Sequence, residues 1–303
     1  MISRQVLNRA SPYVFIAPAV LITSIALVYP VLQSIWLSFH EWSIGTPPDQ
    51  TRFVGLENYR WLLADRAFWT SVGVTLVFAG AVVLCETVLG VGLALALDRE
   101  LRGMSIIRTI FILPMMVAPI VVGLIWRFLY NEQFGPLNQV LTGLGLPAMS
   151  WLSSPDLALV SVIIADIWQW TPFIFILSLA ALQSLPSSAI EAARIDGASP
   201  WQAIVFIKLP LMMPVIVVAA LLRLIDAFKV LEVIYILTEG GPGLSTEILS
   251  LHIYKTAFVS QQLGRASALS NLLLVMVMAI TLALVAVNHL RRVATRRADA
   301  AEG

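Results

Sequence analysis

Leu185-Pro186-Ser187-Ser188-Ala189-Ile190-Glu191-Ala192-Ala193-Arg194-Ile195-Asp196-Gly197-Ala198-Ser199-Pro200-Trp201-Gln202-Ala203-Ile204-Val205-Phe206-Ile207-Lys208-Leu209-Pro210 is a polar, punctuated segment set between two long apolar runs. Its punctuation predicts two short helices. Ser188 is placed to accept from the amide of Glu191 while Glu191 reaches back, a capping box, and Gly197 offers the left-handed stop. Ser199 is placed to cap a second helix, with Pro200 at the first position, where no donor is needed, and Gln202 at the third. The product is a helix-turn-helix knob over 186–210 in which Ala192, Ala193 and Ala198 leave a small, closely approachable surface. On these residues alone two readings stand open: a docking element for a partner, or an ordinary connection whose caps only satisfy backbone groups.

Outward from the knob the chain is apolar. Of its 303 residues 59% are hydrophobic and 12% charged, where soluble domains are about a quarter charged. Six runs are long enough, at about 1.5 Å per residue, to cross a hydrocarbon core of about 30 Å: 13–36, 71–97, 106–130, 157–182, 209–237 and 268–290. Lipid offers the backbone no partners, so runs of this length must be helices. The expected fold class is all-α, a polytopic membrane protein with six transmembrane helices in one domain, 1–303.

Basic residues set the orientation. With both termini inside, the inner segments hold Arg4, Arg9, Arg99, Arg102, Arg108, Arg194, Lys208, Arg291, Arg292, Arg296 and Arg297. The outer ones hold only Arg52, Arg60, Arg66, Lys255 and Arg265, a bias that puts both termini and the knob in the cytoplasm. The first run is too long for a signal-peptide core and is expected to stay as an anchor. A net charge of +1 gives no reason to expect nucleic acid, and Cys85 has no intrachain disulfide partner. Among the outer loops, Phe53–Leu63 reads as an amphipathic surface helix, and Thr238-Glu239-Gly240-Gly241-Pro242-Gly243 ends the fifth run abruptly.

Charges inside a span each cost about 2.5–3.5 kcal/mol near the bilayer centre, so their clustering is informative. The fifth run carries Arg223, Asp226, Lys229 and Glu232, spaced by three with alternating sign. Such a stripe either lines a solute path or is an intrahelical ion ladder that sets packing. In the fourth run Asp166, Trp168, Gln169, Trp170 and Thr171 place amide, carboxylate and aromatic groups at one depth, just before Pro172. Those are the groups that sugar rings and hydroxyls need, although tryptophans also gather at membrane interfaces for physical reasons alone.

Glu191-Ala192-Ala193 followed by Asp196-Gly197-Ala198, then Ile207, Leu209-Pro210 and Pro214, resembles the EAA loop of binding-protein-dependent ABC importer permeases. Phe53-Val54-Gly55-Leu56-Glu57-Asn58-Tyr59, Phe134-Gly135-Pro136-Leu137-Asn138, Asp226-Ala227-Phe228-Lys229 and Leu237–Gly243 are similar to the carbohydrate branch, the maltose and glycerol-phosphate permease group. The resemblance implies a type I importer permease fold. It also implies that Glu191, Ala192, Ala193, Asp196 and Gly197 form the coupling element docked on a cytoplasmic ATPase. Sugar contacts would fall on Gln169, Trp170, Phe173, Arg223, Asp226, Ala227 and Val230, with Lys229 on the same stripe. The implied partners are a second homologous permease, an ATPase dimer that holds ATP and Mg, an extracytoplasmic solute-binding protein, a sugar-like solute and membrane lipid. No cofactor is expected in this chain.

A phosphate-binding loop needs a lysine after glycine, and Lys208, Lys229 and Lys255 follow Ile207, Phe228 and Tyr254. Energy for transport would therefore come from another subunit. A self-contained ion-coupled secondary transporter, with Asp166, Asp226 or Glu232 as proton relay, is the competing reading, but it would expect two related halves. An intramembrane enzyme is disfavoured because His40, His252 and His289 sit in loops or at run ends without metal-binding or Ser-His spacing.

Overall fold

The computed structural model describes residues 15–47, 50–98 and 103–302, without the side chains of Arg194 and 287–302. Arg4, Arg9, Arg99 and Arg102, which contribute to the orientation argument, lie outside the described residues, as do the side chains of Arg194, Arg291, Arg292, Arg296 and Arg297. In chain order the helices are α1 (Phe15–Ser38), α2 (Glu57–Ala64), α3 (Arg66–Leu97), α4 (Met104–Met116), α5 (Pro119–Leu129) and α6 (Pro136–Gly143). They continue with α7 (Pro155–Gln183), α8 (Ser187–Ile195), α9 (Pro200–Ala227), α10 (Glu232–Thr238), α11 (Leu249–Tyr254) and α12 (Leu263–Glu302). Five of these, α1, α3, α7, α9 and α12, are long and apolar enough to cross a membrane. The pair α4–α5, bent by 98°, makes a sixth as one broken span.

The expected span 106–130 is therefore not one straight helix. Proline pushes its predecessor out of the α region, and Ala118, ahead of Pro119, lies at φ −59 and ψ 138. Pro119 then starts α5 at the position that needs no donor. The expected fifth span, 209–237, also differs. Its helix ends at Ala227 and resumes only at Glu232, and no glycine or proline in 228–231 accounts for the gap.

At its other end α9 is longer than expected. The second helix of the knob is not a separate piece: it runs from Pro200 into the span without interruption. Pro210 has no N–H to close an α-turn, and its ring crowds the carbonyl four residues back. The helix widens into a π-turn over Ile204–Lys208, with the Leu209 amide bonded to the Ile204 carbonyl, and so passes the proline without breaking. The same device precedes Pro30, as a π-turn over Ser24–Val28.

The chain divides into two compact units, Met1–Asp65 with Ile253–Met276, and Arg66–His252 with Val277–Gly303. In the first, β1 (His40–Glu41) and β2 (Arg52–Phe53) pair antiparallel, His40 opposite Phe53. The amphipathic helix expected over 53–63 is realised only from Glu57, as α2, whose Asn58 and Leu62 face inward. Asn58 donates to the Ser38 and His40 carbonyls. In the second unit α3, α7 and α9 meet around Val91, Ala94, Ile174, Phe175, Met212, Ile216 and Ala219. Without a hydrophobic difference between lipid and side chain, such helices associate by close packing, which small residues permit. Gly90 is the tightest point here, since a Cβ on it would stand 2.7 Å from Ile174 Cβ.

Gly90→Val should therefore lower stability by about 1–3 kcal/mol through overpacking, read as a drop in the melting temperature of the detergent-purified protein. Gly80→Val, where a Cβ meets nothing within 4 Å, should leave it unchanged.

Candidate functional site

Glu86 lies in the middle of the apolar helix α3, Asp166 in α7 and Arg223 near the end of α9, and all three are at most 1% exposed. An arginine buried this deeply needs its fork of donors filled. Arg223 donates from Nε to Glu86 Oε2 at 2.7 Å and from Nη2 to Glu86 Oε1 at 3.1 Å, a two-pronged pairing that fixes orientation as well as charge. Its Nη2 also bonds Asp166. The guanidinium lies 5.3 Å from the Trp170 ring centre, and its Nη1 is 3.6 Å from Asp226. One cation thus joins three spans.

Beside this cluster is a cavity of about 250 Å³ lined by Pro119, Asp166, Gln169, Trp170, Asp226, Lys229, Val230, Glu232 and Val233. It forms where backbone leaves the helical pattern. The gap between α9 and α10 places Lys229 and Val230 on the wall, and the Val230 carbonyl accepts from Ser250 Oγ. The bend between α4 and α5 opens opposite, and there Gln169 Nε2 donates to the Val117 carbonyl at 3.2 Å. Irregular backbone within a span is tolerated where it lines a cavity.

Gln169, Trp170, Asp226, Lys229 and Val230, all expected from sequence, come together in this wall. Arg223 stands behind it, Ala227 is fully buried, and Phe173 packs on the helix core. The expected ladder of four stripe charges exists in part. Asp226 Oδ1 is 3.8 Å from Lys229 Nζ, with those side chains 43% and 63% exposed, a pairing worth about 0–1 kcal/mol. Glu232 starts a different helix. Trp168 faces away, its ring edge on Trp126 at 5.9 Å. The partner missed in the sequence is Glu86, although a lone carboxylate inside a helix of 32 residues is itself a sign that a counter-ion must reach it.

The knob has the expected helix-turn-helix form, except that its second helix continues into the span and its start differs. α8 begins at Ser187, so Ser188 lies within the first turn and is not its cap. Gly197 is left-handed at φ +81, and the Ala198 amide closes back on the Ala193 carbonyl at 2.9 Å, a Schellman stop. The Ser199–Gln202 capping box is formed in both directions, with Pro200 at the first helical position. Ala193 is buried, whereas Glu191, Ala192, Asp196 and Gly197 are exposed. The apolar side chains of Ile195, Trp201 and Phe206 are also exposed, at 86%, 71% and 72%. Lys208, where α9 leaves the knob, pairs with Asp98 beyond the end of α3 at 3.2 Å.

Residues 86–300 match the family described as binding-protein-dependent transport system inner membrane component. Over 280 residues the chain is 38% identical to the trehalose/maltose transport system permease protein MalF of Thermococcus litoralis, covering 92% of this chain and 94% of that one. It is 35% identical to the trehalose transport system permease protein SugA of Mycobacterium tuberculosis, covering 88% and 84%. The fold matches a chain in the crystal structure of a bacterial alginate ABC transporter in complex with an alginate pentasaccharide-bound periplasmic protein. That match has a TM-score of 0.81 at 23% identity and covers 93% of this chain and 95% of that one. The architecture is that of a type I importer permease.

Removing one partner of a buried ion pair strands the other, at a cost of about 3–5 kcal/mol. Arg223→Leu and Glu86→Leu should each lower the melting temperature of the purified protein. The double variant should be more stable than the two losses added together, and additive losses would show that the two side chains do not interact.

Proposed function

Because the chain belongs to the family of binding-protein-dependent transport system inner membrane components, we propose that it is a sugar-conducting permease subunit of an ATP-driven importer. It acts as one permease domain in the cytoplasmic membrane, with both termini and the knob on the inner side. Its partners are a second permease of the same kind, a solute-binding protein outside, and an ATPase dimer that holds ATP and Mg and supplies the energy. The chain itself only conducts. The relatives named for trehalose and maltose, and the amide, carboxylates and indole around the cavity, support a sugar or sugar-like solute.

The observation that carries the mechanism is the continuity of α9. At one end this helix begins in the capped turn beside Gly197, and at the other it bears Arg223 and Asp226. A helix spans about 1.5 Å per residue, so the rod is roughly 40 Å long. Glu191, Ala192, Asp196 and Gly197 dock on the ATPase, and Ala193 packs inward to hold the turn. When the ATPases close, the knob is pushed and α9 tilts as a body. Through Arg223 the tilt is passed to α3 and α7, and the cavity changes its side of access. Gln169, Trp170, Asp226, Lys229 and Val230 contact the solute. Phe173 and Ala227 back the wall, and Arg223 holds it in register.

The family match favours this reading over an ion-coupled secondary transporter, and transport itself separates them. In proteoliposomes with ATPase and binding protein, uptake of trehalose or maltose should require ATP and persist when ion gradients are collapsed. Gly197→Pro, which cannot adopt a positive φ, should lower uptake by roughly tenfold or more, the size of a lost coupling of about 1–3 kcal/mol, while the protein still inserts. Full uptake by that variant, with ATPase bound, would contradict the coupling role.

A further inference from the structure

We infer that Glu86 is a selectivity-determining residue: by occupying Arg223, it makes the cavity a site for neutral, hydroxyl-rich solutes and closes it to anionic ones. The inference rests on the reading of this cavity as the solute path and adds to it the class of solute admitted.

An arginine beside a cavity would ordinarily invite a carboxylate or phosphate, because its planar fork matches both. Here most of the fork is spent: Nη1 alone has no hydrogen-bond partner among the described residues, and Arg223 itself does not line the cavity. Nε and Nη2 both bond Glu86, Nη2 also bonds Asp166, and Nη1 is turned toward Asp226. Glu86 is fully buried on a helix that does not line the cavity, so it touches no solute and acts only through Arg223. What remains on the wall is acidic. Asp166, Asp226 and Glu232 face the space, against the single amine of Lys229, which itself lies near Asp226.

The hydrogen-bonding inventory points the same way. Asp166 Oδ1 and Gln169 Oε1 are buried acceptors without a hydrogen-bond partner among the described residues, and both residues line the cavity. A buried acceptor left unmatched is costly and calls for a donor. Sugar hydroxyls bring donors to both oxygens, whereas a carboxylate or phosphate brings only acceptors and adds like charge.

The test is equilibrium binding to the complete transporter in nanodiscs, without the solute-binding protein, so that the cavity alone discriminates. The probes are trehalose and maltose, each against its mono-uronate, in which one hydroxymethyl is oxidised to carboxylate. The wild-type transporter should prefer the neutral probe by on the order of tenfold, the effect of one uncancelled charge nearby in a partly polar interior. Glu86→Gln should shift the ratio toward the uronate by about the same factor, and Glu86→Asp should keep the wild-type preference. The charge-balanced double variant, Glu86→Gln with Arg223→Gln, should restore that preference, which a purely structural role would not do. If Glu86→Gln fails to assemble, Asp226→Asn removes one wall carboxylate at a half-exposed position and should move the ratio in the same direction. Equal binding of both probes by the wild type, or a ratio unmoved by these variants, would overturn the inference while leaving the transport reading intact. Binding of neither neutral disaccharide would remove the sugar path itself and this inference with it.

Discussion

A guanidinium placed where three apolar helices meet must be matched by carboxylates from those helices, and Arg223 is matched by Glu86 and Asp166. This requirement organises the second unit. Left unpaired, any of the three would oppose burial by several kcal/mol, so α3, α7 and α9 are held at one depth and one rotation. Close packing at Gly90 and Ile174 then becomes possible along the same contact. Aliphatic packing fills the interface, but the ions determine which residues face one another.

That arrangement also explains why the irregular backbone lies where it does. The bend at Ala118 and the gap after Ala227 border the cavity, and each has a freed carbonyl taken up by a side chain: Val117 by Gln169, and Val230 by Ser250. The same residues that open the wall therefore keep its backbone satisfied. Gln169 has a double task, since its amide nitrogen holds the bend while the residue also lines the cavity.

Much of this was legible in the residues because it depends on local chemistry. The second cap of the knob and its left-handed glycine need only neighbours a few positions apart, and five of the eight expected path residues share one wall. Ala118-Pro119 was an equally local signal, readable in the same way as a break. Other features were hidden because their causes are distant. Glu86 answers an arginine 137 residues away. The gap over 228–231 has no local cause and is supported by Ser250. Pro210 would ordinarily kink a helix at this point, yet a π-turn absorbs it and leaves α9 continuous with the knob.

The central claim is that α9 moves as one body, so that the knob and the cavity wall shift together. Spin labels at Trp201 and at Lys229, each measured by electron–electron double resonance against a reference label on the second permease subunit, would test it in the assembled transporter. Both distances should change in concert between the nucleotide-free and ATP-trapped states. A change at position 201 with none at 229 would contradict the account.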